Sequence, residues 1–455
     1  MTRSIIYPTI TPLSLYIHFP WCISKCPYCD FLSYPQPQLI TNSPSIKLQN
    51  FSTLADHYIE ALLQDLQQDL LAFTIDRKKP IISIYIGGGT PSLIPANTIV
   101  KLLENIYLQY KIDNHAEITI EANPDTIDYH YCKQLYQAGI NRLSIGAQSF
   151  QDDKLKILGR IHNAASITHA IVAARHAGFT NINLDLMFGL PTQSINDALY
   201  DLKTAIALAP THISWYQFTL ETGSIFYRKP PNNIPNDECT WQMQQLGQQI
   251  LSENNFKQYE VSAYGRHGYQ CQHNLNYWQF GDYLGIGAGA HGKLTLKKKN
   301  NHPTDDCDTQ INSNADDGSN NGHTINTITR YSKINNPHLY NNVIHKRNKN
   351  SSDADNKNNT NHISNTINCK NNFITTRKII APQELPFEFM LNALRLYQPI
   401  AYTLFINRTG LPLIKIVDKL KLAEEFGLIR LSTKHFTTTT KGKNFINDLL
   451  EIFMV

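Results

Sequence analysis

The sequence predicts an α/β protein, an incomplete (β/α)6 barrel followed by a small C-terminal helical, winged-helix-like domain. Three observations carry this. Short apolar, β-branched runs alternate six times with longer stretches of helical period. Glycines, acids and amides gather at the ends of those runs. A further block of helical period resumes only after a long Asn-rich segment.

The runs expected as strands are 14–19, 81–86, 117–121, 142–147, 181–187 and 212–220. They are bounded by turn-forming residues and rich in Ile and Leu, which suits pleated chain. Between the first two, Leu54, Tyr58, Ile59, Leu62, Leu63, Leu66, Leu70 and Phe73 recur at spacings of three and four, an apolar stripe on one helix face. Near-continuous apolar strands alternating with such helices predict a parallel sheet, because right-handed crossovers lay a helix over the sheet face. An open doubly wound sheet collects its site at one switch point, whereas a barrel brings many strand ends together. Here Gly87-Gly88-Gly89-Thr90 follows the second run, Glu121 ends the third, Gln148 follows the fourth and Asp185 lies in the fifth. That spread favours the barrel.

Beyond Lys293 the chain turns to Asn, Asp, Lys, Ser and Thr. Such a composition buries too little apolar area to offset chain ordering, so 294–376 is expected to be a largely disordered insertion, with 329–340 as its ordered part. In 377–455, Phe387, Met390, Leu391, Leu394 and Leu396 restore a helical stripe, a second helix is expected to stop at Gly427, and 428–437 reads as a strand pair. The expected domains are therefore 1–293, 294–376 and 377–455.

With 41 basic against 37 acidic residues, the net charge of +4 is too small over 455 residues to argue for nucleic acid or an anionic membrane. Eight cysteines, three of them within eight residues, suit a metal site better than a disulfide framework and point to a reducing compartment. Residues 1–12 have no apolar signal core, and no apolar run nears the roughly 20 residues of a membrane span, so a cytoplasmic location is expected.

The three clustered cysteines are Cys22, Cys26 and Cys29, just after the first expected strand and hence on a loop at the barrel mouth. The C-x3-C-x2-C spacing suits a 4Fe-4S cluster with one iron left free to chelate the amino and carboxylate groups of S-adenosylmethionine. A zinc site is the alternative, and it would need a fourth ligand such as His18 or Cys271.

With Tyr28 before the third cysteine and Gly87-Gly88-Gly89-Thr90-Pro91 downstream, the chain resembles the radical S-adenosylmethionine (SAM) superfamily. The ordered set Tyr16, the cysteine triad, Gly88-Gly89-Thr90, Glu121, Gln148, Arg160 and Asp185 is similar to the cofactor pocket of the anaerobic coproporphyrinogen oxidase family. The resemblance runs from Leu13 to about Lys293 and resumes from Leu385. It implies Arg160 at the methionyl carboxylate, Glu121, Gln148 and Asp185 on the nucleoside, and Tyr16 and Tyr28 beside the cluster. Guanidinium forks match carboxylates, which fits the first assignment.

Within that family one branch oxidises coproporphyrinogen III and another handles heme. The oxidase branch carries a further cysteine two positions after the third ligand and a sizeable N-terminal extension; here Phe31 stands at that position and a short leader precedes the triad. His273-Asn274-Leu275-Asn276-Tyr277-Trp278 matches the HNxxYW motif of the heme-handling branch. Imidazole is a normal axial ligand of heme iron, and Tyr277, Trp278 and Phe280 offer flat apolar surface, so His273, Tyr277 and Trp278 are candidate heme contacts. Cys271 and Gly287-Ala288-Gly289-Ala290-His291-Gly292 are weaker candidates to line the same site. Cys307 and Cys369, in the Asn-rich segment, are given no ligand role. The resemblance implies a heme chaperone whose partners are heme, an acceptor protein, membrane-embedded or soluble, and a low-potential electron donor. The alternative is an oxygen-independent coproporphyrinogen III oxidase, which cleaves SAM reductively and decarboxylates propionate side chains.

Overall fold

The computed structural model describes residues 11–36, 44–297, 326–343 and 371–454. The six expected strands form as β1 (Leu13–Phe19), β2 (Ile81–Gly88), β3 (Ile112–Ala122), β4 (Arg142–Gln148), β5 (Asn181–Phe188) and β6 (His212–Gln217). Each runs parallel to the next in chain order. Helices α1 (Pro44–Ala72), α2 (Ala96–Gln109), α3 (Tyr129–Gln137), α4 (Ala164–Ala177), α5 (Ile195–Ala207) and α6 (Asp237–Glu253) lie between or after them. Both sheet faces are covered, so β1 is buried at every residue except the half-buried Tyr16.

The helix stripe packs as its period requires: Tyr58, Ile59, Leu62, Leu66 and Leu70 of α1 are buried in the main core, with Phe73 just past the helix end. The start of α5 is set by a capping box between Ser194 and Asp197, and α4 stops at Gly178 in the left-handed conformation.

The sheet extends beyond six strands. β7 (Asp282–Ile286) runs parallel to β1 on its free side, and β8 (His291–Lys297), β9 (Asn326–Lys333) and β10 (Ile374–Ile379) continue antiparallel from it. At the other edge the short strands Ala263–Gly265 and Lys257–Gln258 follow β6, giving an open run of order β10-β9-β8-β7-β1-β2-β3-β4-β5-β6 before that pair. The boundaries expected at 293 and 376 therefore fall inside β8 and β10, and 294–376 contributes paired strand within the described residues. Composition hid this because only Ile328 and Tyr331 of β9 are apolar, and its other buried positions are Thr329 and Lys333. Of the segment expected to be ordered, 329–333 belongs to β9 and 337–340 opens a helix that continues to 343. The remainder of the Asn-rich stretch, with Cys307 and Cys369, and residues 1–10 lie outside the described residues.

After α7 (Gln272–Trp278), the C-terminal part builds α8 (Leu385–Ala393), α9 (Tyr402–Thr409), α10 (Ile414–Glu425) and a three-stranded sheet of Ile400–Ala401, His435–Thr438 and Ile429–Leu431. Phe389, Leu404, Phe405, Ile416 and Phe436 form its core, which also takes in Phe280 and Ile328 from the main body. Gly427 carries a positive φ of 69° just past α10, as a helix terminator requires.

Candidate cofactor site

The cysteine loop is closed at its base by parallel pairing of Trp21–Cys22 with Tyr34–Pro35, and Cys29 N–H donates to the Cys26 carbonyl at 3.1 Å. The glycine run at the end of β2 lies directly against this loop. Gly89 N–H donates to Phe19 O at 2.7 Å and Thr90 N–H to Trp21 O at 2.8 Å. Gly88 has φ of +118°, and a Cβ there would stand 2.5 Å from the His18 ring, so both backbone conformation and space demand glycine.

A cavity of about 520 Å³ opens at these strand ends, within the range of roughly 300–1,000 Å³ typical of ligand sites. Cys22, Cys26, Cys29, Tyr28, Gly88, Gly89, Thr90, Glu121, Gln148, Arg160 and Asp185 all line it. Eleven expected residues, drawn from 22–185, thus converge on one space.

Their chemistry is graded. Burial raises the Cys22 and Cys29 thiol pKa values, with Thr90 and Ser33 hydroxyls bonding to Cys22 as a partial counterweight. Such thiols ionise when a cation binds them. Arg160 donates from Nη2 to Gly146 O at 2.9 Å and reaches Cys26 Sγ with Nη1 at 3.8 Å. Burial alone would lower its pKa, but Tyr28 and Cys26 outweigh that and hold it above the ordinary value. Its buried Nε has no hydrogen-bond partner among the described residues, so the guanidinium keeps a donor for an anionic ligand. Glu121 accepts from Tyr85 OH at 2.9 Å and Gly88 N–H at 3.0 Å. Burial, reinforced by Asp185, pushes its carboxyl up to about 7. Asp185 is raised as well, again by burial, and is held by Asn183 at 2.8 Å and Ser144 at 3.2 Å. Gln148 sits at φ of +68° and accepts from Tyr216 OH at 2.7 Å. A non-glycine residue in that region carries strain, which is commonest at functional sites.

The zinc alternative loses its fourth ligand. Both His18 ring nitrogens are engaged, with Tyr16 OH at 2.9 Å and Leu32 O at 2.8 Å, while buried Cys271 lies against Glu117 with Sγ at 3.3 Å. Neither residue lines the cavity. Tyr16 too lies one layer back, stacked on Tyr85 with centroids 6.3 Å apart.

The HNxxYW segment is not brought to the cavity. His273 is only 9% exposed, its Nδ1 is 3.1 Å from Ser83 Oγ, and its ring sits against Tyr85 and Tyr16 at 5.1 and 6.2 Å. Burial, with Arg142 behind it, lowers its pKa to about 3. Tyr277 packs on Trp278 and Tyr283, and the Arg395 guanidinium covers the Trp278 ring at 4.5 Å. None of the three lines the cofactor cavity: His273 is enclosed, and Tyr277 and Trp278 are half-buried where helix α7 meets the C-terminal part. The Gly287–Gly292 stretch also turns elsewhere, with Gly287 and Ala288 N–H groups bonded to Tyr340 and Tyr58.

Residues 16–205 match the Radical SAM superfamily and residues 380–445 the HemN C-terminal domain. A protein of Haemophilus influenzae named heme chaperone HemW is 40% identical over 449 residues, covering 98% of this chain and 99% of its own. The chain belongs to the HemW family. Its HemW relative from Escherichia coli K12 is 37% identical with the same coverage, 98% and 99%. Among solved structures, the HemN coproporphyrinogen III oxidase of Escherichia coli superposes with a TM-score of 0.70 at 19% identity, over 98% of this chain and 91% of that one, which establishes the shared fold.

The cofactors of this superfamily fit the residues present in this HemW-family chain. Cys22, Cys26 and Cys29 would hold a 4Fe-4S cluster, and Arg160, Glu121, Gln148 and Asp185 the polar groups of SAM. Bound there, the pair supplies reductive chemistry at a sulfonium; the chain's own part is to position the ligands and hold the acids at the nucleoside end. Lining residues not anticipated from sequence include Tyr85, Ser144 and Tyr216. Their signal was faint, polar groups within otherwise apolar strand runs.

Proposed function

We propose that this HemW-family chain is a heme chaperone, taking up heme and transferring it to an acceptor protein, with the cluster and exchangeable SAM assisting or controlling the transfer. The observation that carries the reading is identity of 37–40% along nearly the whole length of chains named heme chaperone. Phe31 supports it: where the oxidase branch carries a further cysteine, this chain exposes 60% of a phenylalanine at the cavity. The six described cysteines are all free, which suits a reducing compartment such as the cytoplasm; an electron donor of low potential is part of the same proposal. Among the described residues no helix is long and apolar enough to cross a membrane.

The test is anaerobic reconstitution of the cluster, titration with hemin, and mixing of the heme-loaded chain with an apo-hemoprotein. Saturable heme binding followed by transfer is expected; a chain that binds no heme removes the proposal. Incubation with coproporphyrinogen III, SAM and a reductant is expected to yield no protoporphyrinogen, and turnover there would establish the oxidase instead.

A further inference from the structure

The cofactor cavity is polar at its floor and apolar at its rim. Glu121, Gln148, Ser144 and Asp185 line the inner part, whereas Ile23, Phe31 and Ile161 line it while remaining 44%, 60% and 48% exposed. These three side chains come from two stretches. Ile23 lies between Cys22 and Cys26 and Phe31 two residues after Cys29 in the cysteine loop, and Ile161 follows Arg160 after β4. Large apolar groups held open to water at one mouth cost hydration free energy, and such a patch bordered by polar groups marks a ligand surface.

We infer that this rim is the heme-docking site, with the porphyrin lying across Ile23, Phe31 and Ile161 and capping the cofactor cavity. The inference rests on the heme-chaperone reading, which supplies the chemical class of ligand, a flat apolar macrocycle with two carboxylates on one edge. Asp30, Glu221 and the Arg160 guanidinium line the same cavity, and Lys25, its Nζ held 3.0 Å from Phe31 O, is the cation of the cysteine loop. Among the described residues no histidine lines the cavity, so contact with the described lining is by face and not through an imidazole. Continuity between rim and floor couples the two ligands: a porphyrin across the mouth obstructs the exit of SAM.

The experiment uses the full chain with its cluster reconstituted and SAM bound, and the probe is hemin. Phe31→Ser, Ile161→Ser and Ile23→Ser are each expected to weaken hemin binding by roughly tenfold, the loss of one partly buried apolar contact. Phe31→Leu keeps the apolar surface and should restore affinity to within about threefold on the same reasoning. Leu108→Ser, at an 85% exposed position of α2 that does not line the cavity, is expected to bind as wild type. In the unmodified chain, saturating hemin is expected to slow release of radiolabelled SAM. Wild-type affinity in the combined Ile23, Phe31 and Ile161 serine variant, or a SAM release rate indifferent to hemin, overturns the docking site and leaves the chaperone reading standing. Failure of the unmodified chain to bind hemin overturns the reading itself.

Discussion

The Lys333 ammonium lies 2.6 Å from both Asp65 Oδ1 and Asp69 Oδ1, and all three side chains are fully shielded from solvent. Asn371 Nδ2 joins them, 2.6 Å from Asp69, and Tyr340 and Tyr331 hydroxyls donate to the outer oxygens at 2.6 and 3.1 Å. Lys333 and Asn371 both belong to the Asn-rich segment and stand on either side of residues 344–370, so this buried cluster holds two separated parts of that segment against α1. The clamp reaches the cysteine loop through Tyr58, which accepts from Ala288 N–H at 2.8 Å and donates to His18 O at 2.9 Å.

Removing the cation would strand buried carboxylates. Lys333→Met is expected to destabilise the chain by about 3–5 kcal/mol, read from urea unfolding. Burial raises the Asp69 pKa even beside Lys333, with Asp65 adding to the effect, so one acid of the pair already tends toward neutrality. Asp69→Asn is accordingly expected to cost less than about 1.5 kcal/mol. Equal costs for the two variants would contradict this assignment.

Cys22→Ala, Cys26→Ala and Cys29→Ala should each abolish iron–sulfur absorbance after anaerobic reconstitution. Cys132→Ala, in the buried face of α3, should retain it. Retention in any of the first three would contradict the ligand set.

Arg160 keeps an unpartnered buried Nε at the cavity. Arg160→Met is expected to weaken SAM binding by roughly 10- to 100-fold, the loss of a charge-assisted hydrogen bond, at unchanged iron content. Equilibrium dialysis with labelled SAM measures it, and unaltered affinity would assign the methionyl carboxylate to another group.

His273 titrates near 3 when folded against about 6.5 when unfolded. Between those values the unfolded chain binds a proton that the folded chain refuses, so stability present above about pH 6.5 is lost as pH falls. The slope from this group approaches 1.4 kcal/mol per pH unit within the window. His273→Asn should flatten the acid limb of a urea-midpoint against pH curve relative to wild type. An unchanged slope would mean that the imidazole is protonated more readily than its burial implies.

Gly88→Ala tests the approach of β2 to the cysteine loop. With φ of +118° and a Cβ destined 2.5 Å from His18, the variant should lose cluster on reconstitution or unfold at lower urea. Wild-type behaviour in both assays would show that the loop gives way at no cost.

Much of the site was legible because its chemistry is local. The spacing of Cys22, Cys26 and Cys29 sits within one loop, Gly88 and Gly89 mark a backbone approach, and Glu121, Gln148 and Asp185 fall on parallel strands whose apolar runs announce them. Parallel register then delivers such residues to one end without further instruction, as in the pairing of Glu121 with Ser144 and of Asp185 with both Gly146 and Ser214.

Other features required the folded chain. His273 matches a motif, yet only packing of α7 beneath Tyr85 and Tyr16 decides that its ring is enclosed. Asp65 and Asp69 occupy the same stripe as Leu62, Leu66 and Leu70, an anomaly visible in sequence, but their partners Lys333 and Asn371 lie more than 260 residues away. The seventh parallel strand, β7, has only five residues and a glycine within it, and its pairing with β1 spans most of the barrel. By itself the sequence determined the alternation of strands and helices, the cysteine loop and the acids at the strand ends, because periodicity and ligand spacing act over a few residues. Tertiary structure decided which polar groups are enclosed and which apolar groups stand open at the mouth, because burial depends on neighbours supplied by distant segments.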